Sequence, residues 1–390
     1  MRDVFIAGIG STAFDKHAGQ SIESLAVGAA VDALIESTVD RGQVGALYLG
    51  NFISGPLNGK EVLAGIVADR IGLPNIPCTK VEGACASGGI AFRHACLAVA
   101  SGQVEAAIAV GVETMTHAST KQTTAALNCA MDNENDGPSG LTFPGLFGLA
   151  WRLHAQRFGT TRAHVSAVVR KNKRNGLRNP LAQMGADLSD EEVAASAPIC
   201  DPIQLYDCCP TSDGAAAVVV VSKALADRIA AGLKHPLVQV LATAQTRGSP
   251  HIGGHGDLIS FDATVAAAQR AYEQAGVTAK DIDLVELHDC FSIAEVIDSE
   301  DLGLVPRGQG GYWAHEGRTA VDGDVAINTS GGLLAKGHPV GATGLGQVFE
   351  VTRQLRHTHP NQVQGARIGM THNLGGTGVA CTVSILRGVQ

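Results

Sequence analysis

Cys85 is a residue of this chain whose type and position suit nucleophilic chemistry. It lies in Val81-Glu-Gly-Ala-Cys-Ala-Ser-Gly-Gly, between an extended segment and an alanine- and glycine-rich helix. Free backbone N–H groups and the positive end of the helix dipole would stabilise a thiolate there. The alternative is a buried, inert cysteine, because free cysteines are often packed as small apolar residues.

A histidine in the second half of the chain could activate that thiol. His338 lies in Gly337-His338-Pro339, just before a helix, and proline is well suited to a first helical turn. A cysteine beside a histidine is an arrangement that activates a thiol nucleophile. A structural histidine that bonds a helix end is the competing interpretation.

A third motif, His288-Asp289-Cys290-Phe291, directly follows an apolar strand, Leu284–Leu287. Loops at the carboxyl ends of strands are where open α/β sheets build their sites. His288 could donate a hydrogen bond to an oxyanion, and Cys290 could move a proton. A zinc ligand pair or an ordinary loop is the alternative. Zinc needs closely placed partners, and Cys208-Cys209 is the only other dense pair, so we predict no metal.

Two further features bear on ligand binding. The segment Asn373-Leu-Gly-Gly-Thr-Gly378 could present a backbone N–H to a neighbouring thiol, as an oxyanion hole requires, or could be a simple tight turn. A helix in an otherwise acidic protein carries a basic cluster that could bind phosphate groups or form a solvated face. Its members are Arg170, Lys171, Lys173, Arg174 and Arg178.

An internal repeat indicates how these motifs come together. Helix Ile22–Ser37 and the strand after it match Phe261–Ala275 and its following strand, and the same spacing pairs Leu49 with Leu287. Helix Ser87–Ala100 likewise matches Gly341–Leu355, so His338 lies nearly where Cys85 lies in the first half. The pattern predicts an α/β protein of two pseudo-symmetric halves, residues 1–116 with 211–232 and residues 233–390. Residues 117–210 form an inserted subdomain over the site.

Bulk composition excludes several functional classes. A net charge of −8 leaves no broad basic field for nucleic acid. No apolar run approaches the length of a membrane span, and the N-terminus lacks a secretory leader. Nine cysteines, an odd number without scaffold spacing, fit a reducing compartment, so we expect a cytoplasmic protein.

Together these motifs resemble those of the thiolases, in particular the sterol-carrier-protein-type thiolases and their bacterial and archaeal relatives, over essentially the whole chain. The resemblance implies the thiolase fold, with βαβαβαββ halves in a layered αβαβα core. It rests on five segments: Cys85-Ala-Ser87, Arg170-Lys-Asn-Lys-Arg-Asn175 with Asn179-Pro180, Tyr206-Asp-Cys-Cys-Pro-Thr-Ser-Asp-Gly214, His288-Asp-Cys-Phe291 and Gly337-His-Pro339.

One departure changes the expected mechanism. Many thiolases carry a second catalytic cysteine in a Cys-x-Gly element near the C-terminus, where this chain has Asn373. In the branch that this chain resembles, the cysteine of the His-Asp-Cys-Phe element takes that role. The resemblance therefore implies that Cys290 is the acid/base and that Cys381 is an inert strand residue.

The resemblance implies a reversible Claisen condensation, or thiolytic cleavage of 3-oxoacyl-coenzyme A. His338 accepts the proton of Cys85, the thiolate takes up an acyl group, and the N–H groups of Cys85 and Gly375 hold the oxyanion. A second thioester then lies near His288 and His338 while Cys290 removes its α-proton. Coenzyme A thioesters are substrates, with no permanently bound cofactor, and the basic residues predicted to contact CoA are Arg170, Lys171, Lys173 and Arg174.

Three alternatives remain at this point. A ketosynthase-like condensing enzyme shares the fold but needs no proton-abstracting cysteine. A steroid side-chain aldolase is expected to lack the nucleophilic cysteine. A non-catalytic scaffold subunit would have no reason to keep all four candidate residues. The resemblance further implies a homodimer or homotetramer, and relatives often work beside a small acyl-CoA-binding partner.

Overall fold

Ten strands form the central sheet of this protein, and two short ones form a separate ribbon. The computed structural model describes residues 2–389, so Met1 and Gln390, the ends of the two predicted halves, lie outside the described residues. The strands are β1 Val4–Ser11, β2 Val44–Gly50, β3 Cys78–Val81, β4 Ala106–Glu113, β5 Pro198–Cys200, β6 Ile203–Gln204, β7 Gly214–Ser222, β8 Val238–Arg247, β9 Leu284–Glu286, β10 Ala326–Ile327, β11 Ile368–Gly375 and β12 Ala380–Gly388.

Helices cover both faces of this sheet and fill the insertion. They are α1 Ile22–Ser37, α2 Ser54–Asn58, α3 Leu63–Arg70, α4 Ser87–Ala100, α5 Thr120–Leu127, α6 Phe143–Phe158, α7 Arg162–Arg178, α8 Asp190–Ala194, α9 Lys223–Ile229, α10 Asp262–Ala275, α11 Ser292–Asp301, α12 Gly310–His315, α13 Gly332–Lys336 and α14 Thr343–Leu355. Within the described chain, no helix is long and apolar enough to cross a membrane.

The strand order repeats, as the sequence predicted. One half of the sheet runs β3-β2-β4-β7-β1, and the other runs β10-β9-β11-β12-β8, joined through β1 and β8. In each half the first two pairings are parallel and the last two are antiparallel. Strands β1 and β8 pair antiparallel, so the halves meet along one seam at the centre of the sheet. The prediction of two pseudo-symmetric halves is confirmed.

Helices α4 and α14 form the middle layer, and their small residues explain why the two halves can approach so closely. Apolar residues of α4, α14 and both halves of the sheet share one buried cluster, while α1 and α10 belong to separate clusters on the outer faces. A Cβ atom placed on Gly88 of α4 would lie 2.9 Å from the carbonyl oxygen of Gly341, just before α14. Glycine is needed at that contact because a side chain would separate the helices.

Element boundaries follow the predictions closely, with differences around glycine. Helices α1 and α4 span the predicted residues. Helix α14 begins at Thr343 rather than Gly341, because residues 339–342 form a turn. Strand β12 begins at Ala380, after a tight turn in which the N–H groups of Gly378 and Val379 both donate to the carbonyl of Gly375.

Residues 117–210 hold four helices and the β5–β6 ribbon, inserted between β4 and β7. From this segment, α7 lies against the second half. Its Lys171 ammonium lies 2.8 Å from Glu295 of α11 and donates to the carbonyl of Ile327 at 2.6 Å. The domain boundaries given from the sequence stay a prediction.

Candidate active site

The segment that presents Cys85 is a strained turn locked by a serine. Ala84 has a positive φ of 51°, which is unusual for a residue with a side chain. Ser87, the first residue of α4, accepts a hydrogen bond from the N–H of Gly83 at 3.0 Å and donates to the carbonyl of Ala84 at 2.6 Å. This closed loop of hydrogen bonds fixes Cys85 on a single turn of 3₁₀ helix in front of α4.

The two histidines predicted from the sequence lie beside this cysteine. The thiol sulfur of Cys85, one ring nitrogen of His288 and one ring nitrogen of His338 all lie within 4.8 Å of one another. The two imidazole rings meet edge to face, with centroids 4.9 Å apart. Cys85 precedes α4 and His338 precedes α14, so the packing of these two pseudo-equivalent helices brings the pair together.

Hydrogen bonds assign the proton of His338 to Nδ1. The Thr343 hydroxyl donates to the carbonyl of Pro339 at 3.1 Å, so its oxygen accepts from His338 Nδ1, 2.7 Å away. The other ring nitrogen, Nε2, therefore carries a lone pair. His338 is equipped to accept a proton.

Hydrogen bonds give His288 the opposite tautomer. Asn373 accepts from the N–H of Gly89 through Oδ1, so its Nδ2 donates to His288 Nδ1 at 3.2 Å. His288 must then carry its proton on Nε2, and it can donate a hydrogen bond to a developing negative charge. The site thus pairs an acceptor imidazole with a donor imidazole. In the sequence analysis, Asn373 stood in place of a catalytic cysteine, and its side chain was given no role.

The tautomer of His288 can be inverted by one substitution. In Asn373→Asp, a carboxylate oxygen would accept from Nδ1–H, which leaves Nε2 without a proton. We expect the rate of the step that needs the His288 donor to fall by about 100-fold, the cost of losing one oxyanion donor. Steady-state kinetics measure the loss, and the ¹⁵N chemical shifts of His288 report the tautomer. A wild-type rate with an inverted tautomer would contradict the donor role.

Burial keeps all the candidate groups neutral in the resting state. It raises the pKa of Cys85 to about 12 and lowers the pKa of His338 to about 3. The pKa of His288 is also well below its ordinary value, because of burial and the neighbouring His338 and His372. Burial outweighs the backbone N–H groups that lower the pKa of Cys85, so this residue is a neutral thiol rather than the helix-stabilised thiolate expected from the sequence.

A backbone N–H group beside the thiol belongs to Gly376. This group and the N–H of Cys85 itself each lower the pKa of Cys85, against the larger effect of burial. The sequence predicted that the N–H of Gly375, one residue earlier, would be this donor. The carbonyl of Gly375 accepts two hydrogen bonds of the β11–β12 turn. The role of Gly375 stays a prediction, and Gly376 is a donor that the tight turn concealed from sequence reasoning.

Cys290 lies in the neighbourhood of Cys85, beside a third thiol. The N–H of Cys209 donates to the carbonyl of Cys290 at 3.1 Å, and Cys208 pairs with Phe291 in an antiparallel bridge. Burial raises the pKa of Cys290 well above the ordinary value, and the nearby Cys209 and Cys85 raise it further. Cys290 is thus a neutral thiol, and its acid/base role stays a prediction. Cys209 was considered from the sequence only as a zinc ligand.

Asp289 connects the His288–Cys290 loop to the segment that carries His338. Its carboxylate accepts from the N–H groups of Leu333 at 2.7 Å and Leu334 at 3.3 Å, at the start of α13. Asn172 of α7 donates to the same carboxylate at 2.8 Å. This single buried side chain therefore joins the motif loop, the insertion and the His338 loop.

The four basic residues predicted to bind coenzyme A each have a partner within the protein. Arg170 pairs with Asp190 and Arg174 with Asp187, while Lys171 pairs with Glu295. Lys173 is buried and donates to the carbonyl of Leu334 at 2.7 Å. Their role in CoA binding stays a prediction. Lys171 and Lys173 hold the insertion against the second half, while Arg170 and Arg174 pair with residues of the insertion itself.

Comparisons with known proteins identify the family of this chain. The family model of the thiolase N-terminal domain matches residues 4–224, and that of the thiolase C-terminal domain matches residues 244–388. An acetyl-CoA acetyltransferase of Methanothermobacter thermautotrophicus is 42% identical over 99% of both chains. Human sterol carrier protein 2 is 34% identical over 96% of this chain and 70% of its own length.

A solved structure extends the likeness to the whole fold. The Ltp2-ChsH2(DUF35) aldolase superposes with a TM-score of 0.83 at 25% identity, over 99% of this chain and 98% of the solved one. Both family models together cover nearly the whole length of the chain, and the full-length relatives exceed 30% identity. The chain therefore belongs to the thiolase family, and it is a thiolase-type acyltransferase.

Proposed function

We propose that this protein interconverts a 3-oxoacyl-CoA and two acyl-CoA thioesters through an acyl group carried on Cys85. Acetoacetyl-CoA is the substrate we favour, because the full-length archaeal relative is named an acetyl-CoA acetyltransferase. The observation that carries the proposal is the convergence of Cys85 with two imidazoles in opposite tautomers, all within 4.8 Å. One imidazole accepts a proton and the other stabilises an oxyanion.

In the first half-reaction, Cys85 transfers its proton to Nε2 of His338 as its sulfur attacks the carbonyl carbon of acetyl-CoA. The N–H groups of Cys85 and Gly376 would hold the oxyanion, because both act on the sulfur that attacks. CoA leaves as a thiol, taking the proton back from His338. The product is an acetyl thioester on Cys85, a covalent intermediate that predicts ping-pong kinetics.

In the second half-reaction, Cys290 passes its thiol proton to Nε2 of His338 and, as a thiolate, removes the α-proton of an incoming acetyl-CoA. The enolate oxygen accepts a hydrogen bond from Nε2–H of His288, and the carbanion attacks the acetyl group on Cys85. A new carbon–carbon bond forms as the thioester bond to Cys85 breaks, and the sulfur recovers its proton through His338. Cleavage follows the same steps in reverse.

The proposal also covers the location, oligomeric state and partners of the protein. We infer a cytoplasmic homodimer or homotetramer, in keeping with nine cysteines that are all free. A partner protein is a further element, because the Ltp2-ChsH2(DUF35) aldolase combines a chain of this fold with a second component. Activity of the isolated chain would show that no such partner is needed for catalysis.

Brief exposure to acetoacetyl-CoA, followed by intact mass and peptide mapping, tests the proposed function. We expect an acetyl adduct on the Cys85 peptide that free CoA discharges, because thiolysis of the adduct is the second half of the reaction. A folded protein without an adduct would contradict the proposal. Retro-aldol cleavage by the same protein would then favour the aldolase alternative.

A further inference from the structure

Glu113 is a buried carboxylate close to the site that the mechanism above does not use. It ends strand β4, and its side chain is fully buried. Oε1 accepts from the side-chain amide of Asn51 at 2.7 Å, and Oε2 accepts from the N–H of Phe52 at 2.9 Å. The N–H groups of Ile53 and Gly341 also lie beside this carboxylate, and each opposes the rise in its pKa that burial causes. Each of these four partners is a donor, as an ionised carboxylate requires.

These donors come from both halves of the protein. Asn51, Phe52 and Ile53 follow strand β2 in the first half, while Gly341 follows His338 by three residues in the second. The contact is close, because a Cβ atom on Gly341 would lie 2.7 Å from Cα of Asn51 and 2.9 Å from Oε2 of Glu113. One carboxylate therefore spans the interface between the halves.

The two segments held by Glu113 carry the apolar side chains around the nucleophile. Ile53 and Val340 are buried in one small cluster with Met115 and Ala126, and Cys85 packs against that cluster. Val340 lies between His338 and Gly341 in the chain. A shift of Gly341 would thus move both the wall beside Cys85 and the loop that presents His338.

We propose that Glu113 is a positioning residue that holds the His338 loop against the Cys85 turn, across the interface between the two halves. The inference rests on the proposed function, because it assigns Glu113 to the transfer of the Cys85 proton to His338. Glu113 acts through the segments it binds and does not itself contact a reacting atom.

The charge state of Glu113 gives this role a pH dependence. Burial raises the pKa of Glu113 to about 7. Two ionisable residues lie near Glu113: Cys85 faces it, and Asp213 precedes Gly214, the residue of β7 that pairs with Glu113. The bound segments 51–53 and 340–342 carry no ionisable side chain. As pH falls through about 7, the carboxyl gains a proton that must point at a donor, which costs one hydrogen bond. The loop is then held less firmly.

Glu113→Gln tests the proposal in the full-length protein. Whichever way the new amide is turned, its nitrogen meets either Asn51 Nδ2 or the N–H of Phe52, so one contact becomes repulsive. We expect kcat to fall by about 100-fold, the effect of a misplaced catalytic group, while KM for acetoacetyl-CoA stays within about threefold. The acid limb that wild-type kcat shows near pH 7 should disappear in the variant.

Glu300→Gln is the matched control. Glu300 is equally buried and accepts from the backbone N–H groups of Gly308 and Gly310, both at 2.8 Å, in the loop between α11 and α12. We expect it to lower thermal stability while leaving kcat and its pH profile unchanged. A Glu113→Gln variant with wild-type kcat, or with a lowered kcat and an unaltered profile, would overturn the positioning role.

The rate at which iodoacetamide alkylates Cys85 tests the proposal without a measurement of turnover. If Glu113 is coupled to the Cys85 turn, the rate measured against pH should show an inflection near 7 in the wild type and none in Glu113→Gln. Should Glu113→Gln not fold, Asn51→Ala removes one donor and should weaken the same inflection. A wild type that forms no acetyl adduct would sink the proposed function alone, whereas identical alkylation profiles would sink the inference alone.

Discussion

Replacing Cys85 by alanine should abolish every exchange of an acyl group between thioesters. Without the sulfur, no acetyl group can be carried between the two half-reactions, so both condensation and thiolysis are lost. We expect a fall of at least about 10⁴-fold in kcat, in line with the removal of a covalent nucleophile from other enzymes. Intact mass after exposure to acetyl-CoA should show no adduct.

The variant should remain folded, which makes the experiment clean. The Cys85 turn is held by the two hydrogen bonds of the Ser87 hydroxyl rather than by the thiol. Cys129, an exposed cysteine, provides the control: Cys129→Ala should retain the adduct and the full rate. An acetylated protein in the Cys85→Ala background would place the nucleophile elsewhere.

The pairing of Cys85 with His338 could be predicted because it depends on the repeat. Both residues precede helices that occupy equivalent places in the two halves, and the sequence shows that equivalence directly. The architecture follows from the same signal, since apolar strands and alanine-rich helices recur at one spacing. Periodicity and repetition are properties of the chain itself, so a single sequence displays them.

The residues that tune the site could not be predicted in the same way. Asn373 and Glu113 act through hydrogen bonds to residues distant in sequence, such as the contact of Asn373 with Gly89. Nothing in the local pattern distinguishes such an asparagine from a turn residue. The Gly376 donor depends on the backbone conformation of one tight turn, which the glycines of the sequence permit but do not determine.

The basic cluster of α7 shows a different limit of sequence reasoning, because local charge does not reveal the acidic partners that folding supplies. Four cations on one helix look available for phosphate when acidic residues elsewhere are ignored. In the folded protein, Asp187, Asp190 and Glu295 neutralise three of them, and Lys173 is buried against a carbonyl group. Tertiary pairing cannot be read from one helix, so its charge alone is weak evidence for a binding site.

Replacing Cys290 by alanine should separate the two half-reactions. The first needs Cys85 and His338 only, because the acyl group moves between two sulfur atoms and no carbon–hydrogen bond breaks. Exchange of labelled CoA into acetyl-CoA should therefore stay within about threefold of the wild-type rate. Condensation should fall by about 10³-fold, within the range expected for the loss of a general acid or base.

Cys381→Ala is the matched control for this separation. Cys381 is also a buried thiol whose pKa burial raises, but it lies in strand β12, where its nearest polar contact is the Thr264 hydroxyl, 3.9 Å away. Its replacement should lower thermal stability and leave both rates intact. If Cys290→Ala condensed acetyl-CoA at the wild-type rate, another group would have to remove the α-proton. Cys209 would be the first candidate to test, because its N–H donates to the Cys290 carbonyl. If exchange and condensation fell together, Cys290 would act on the acylation step, because only that step is common to both assays.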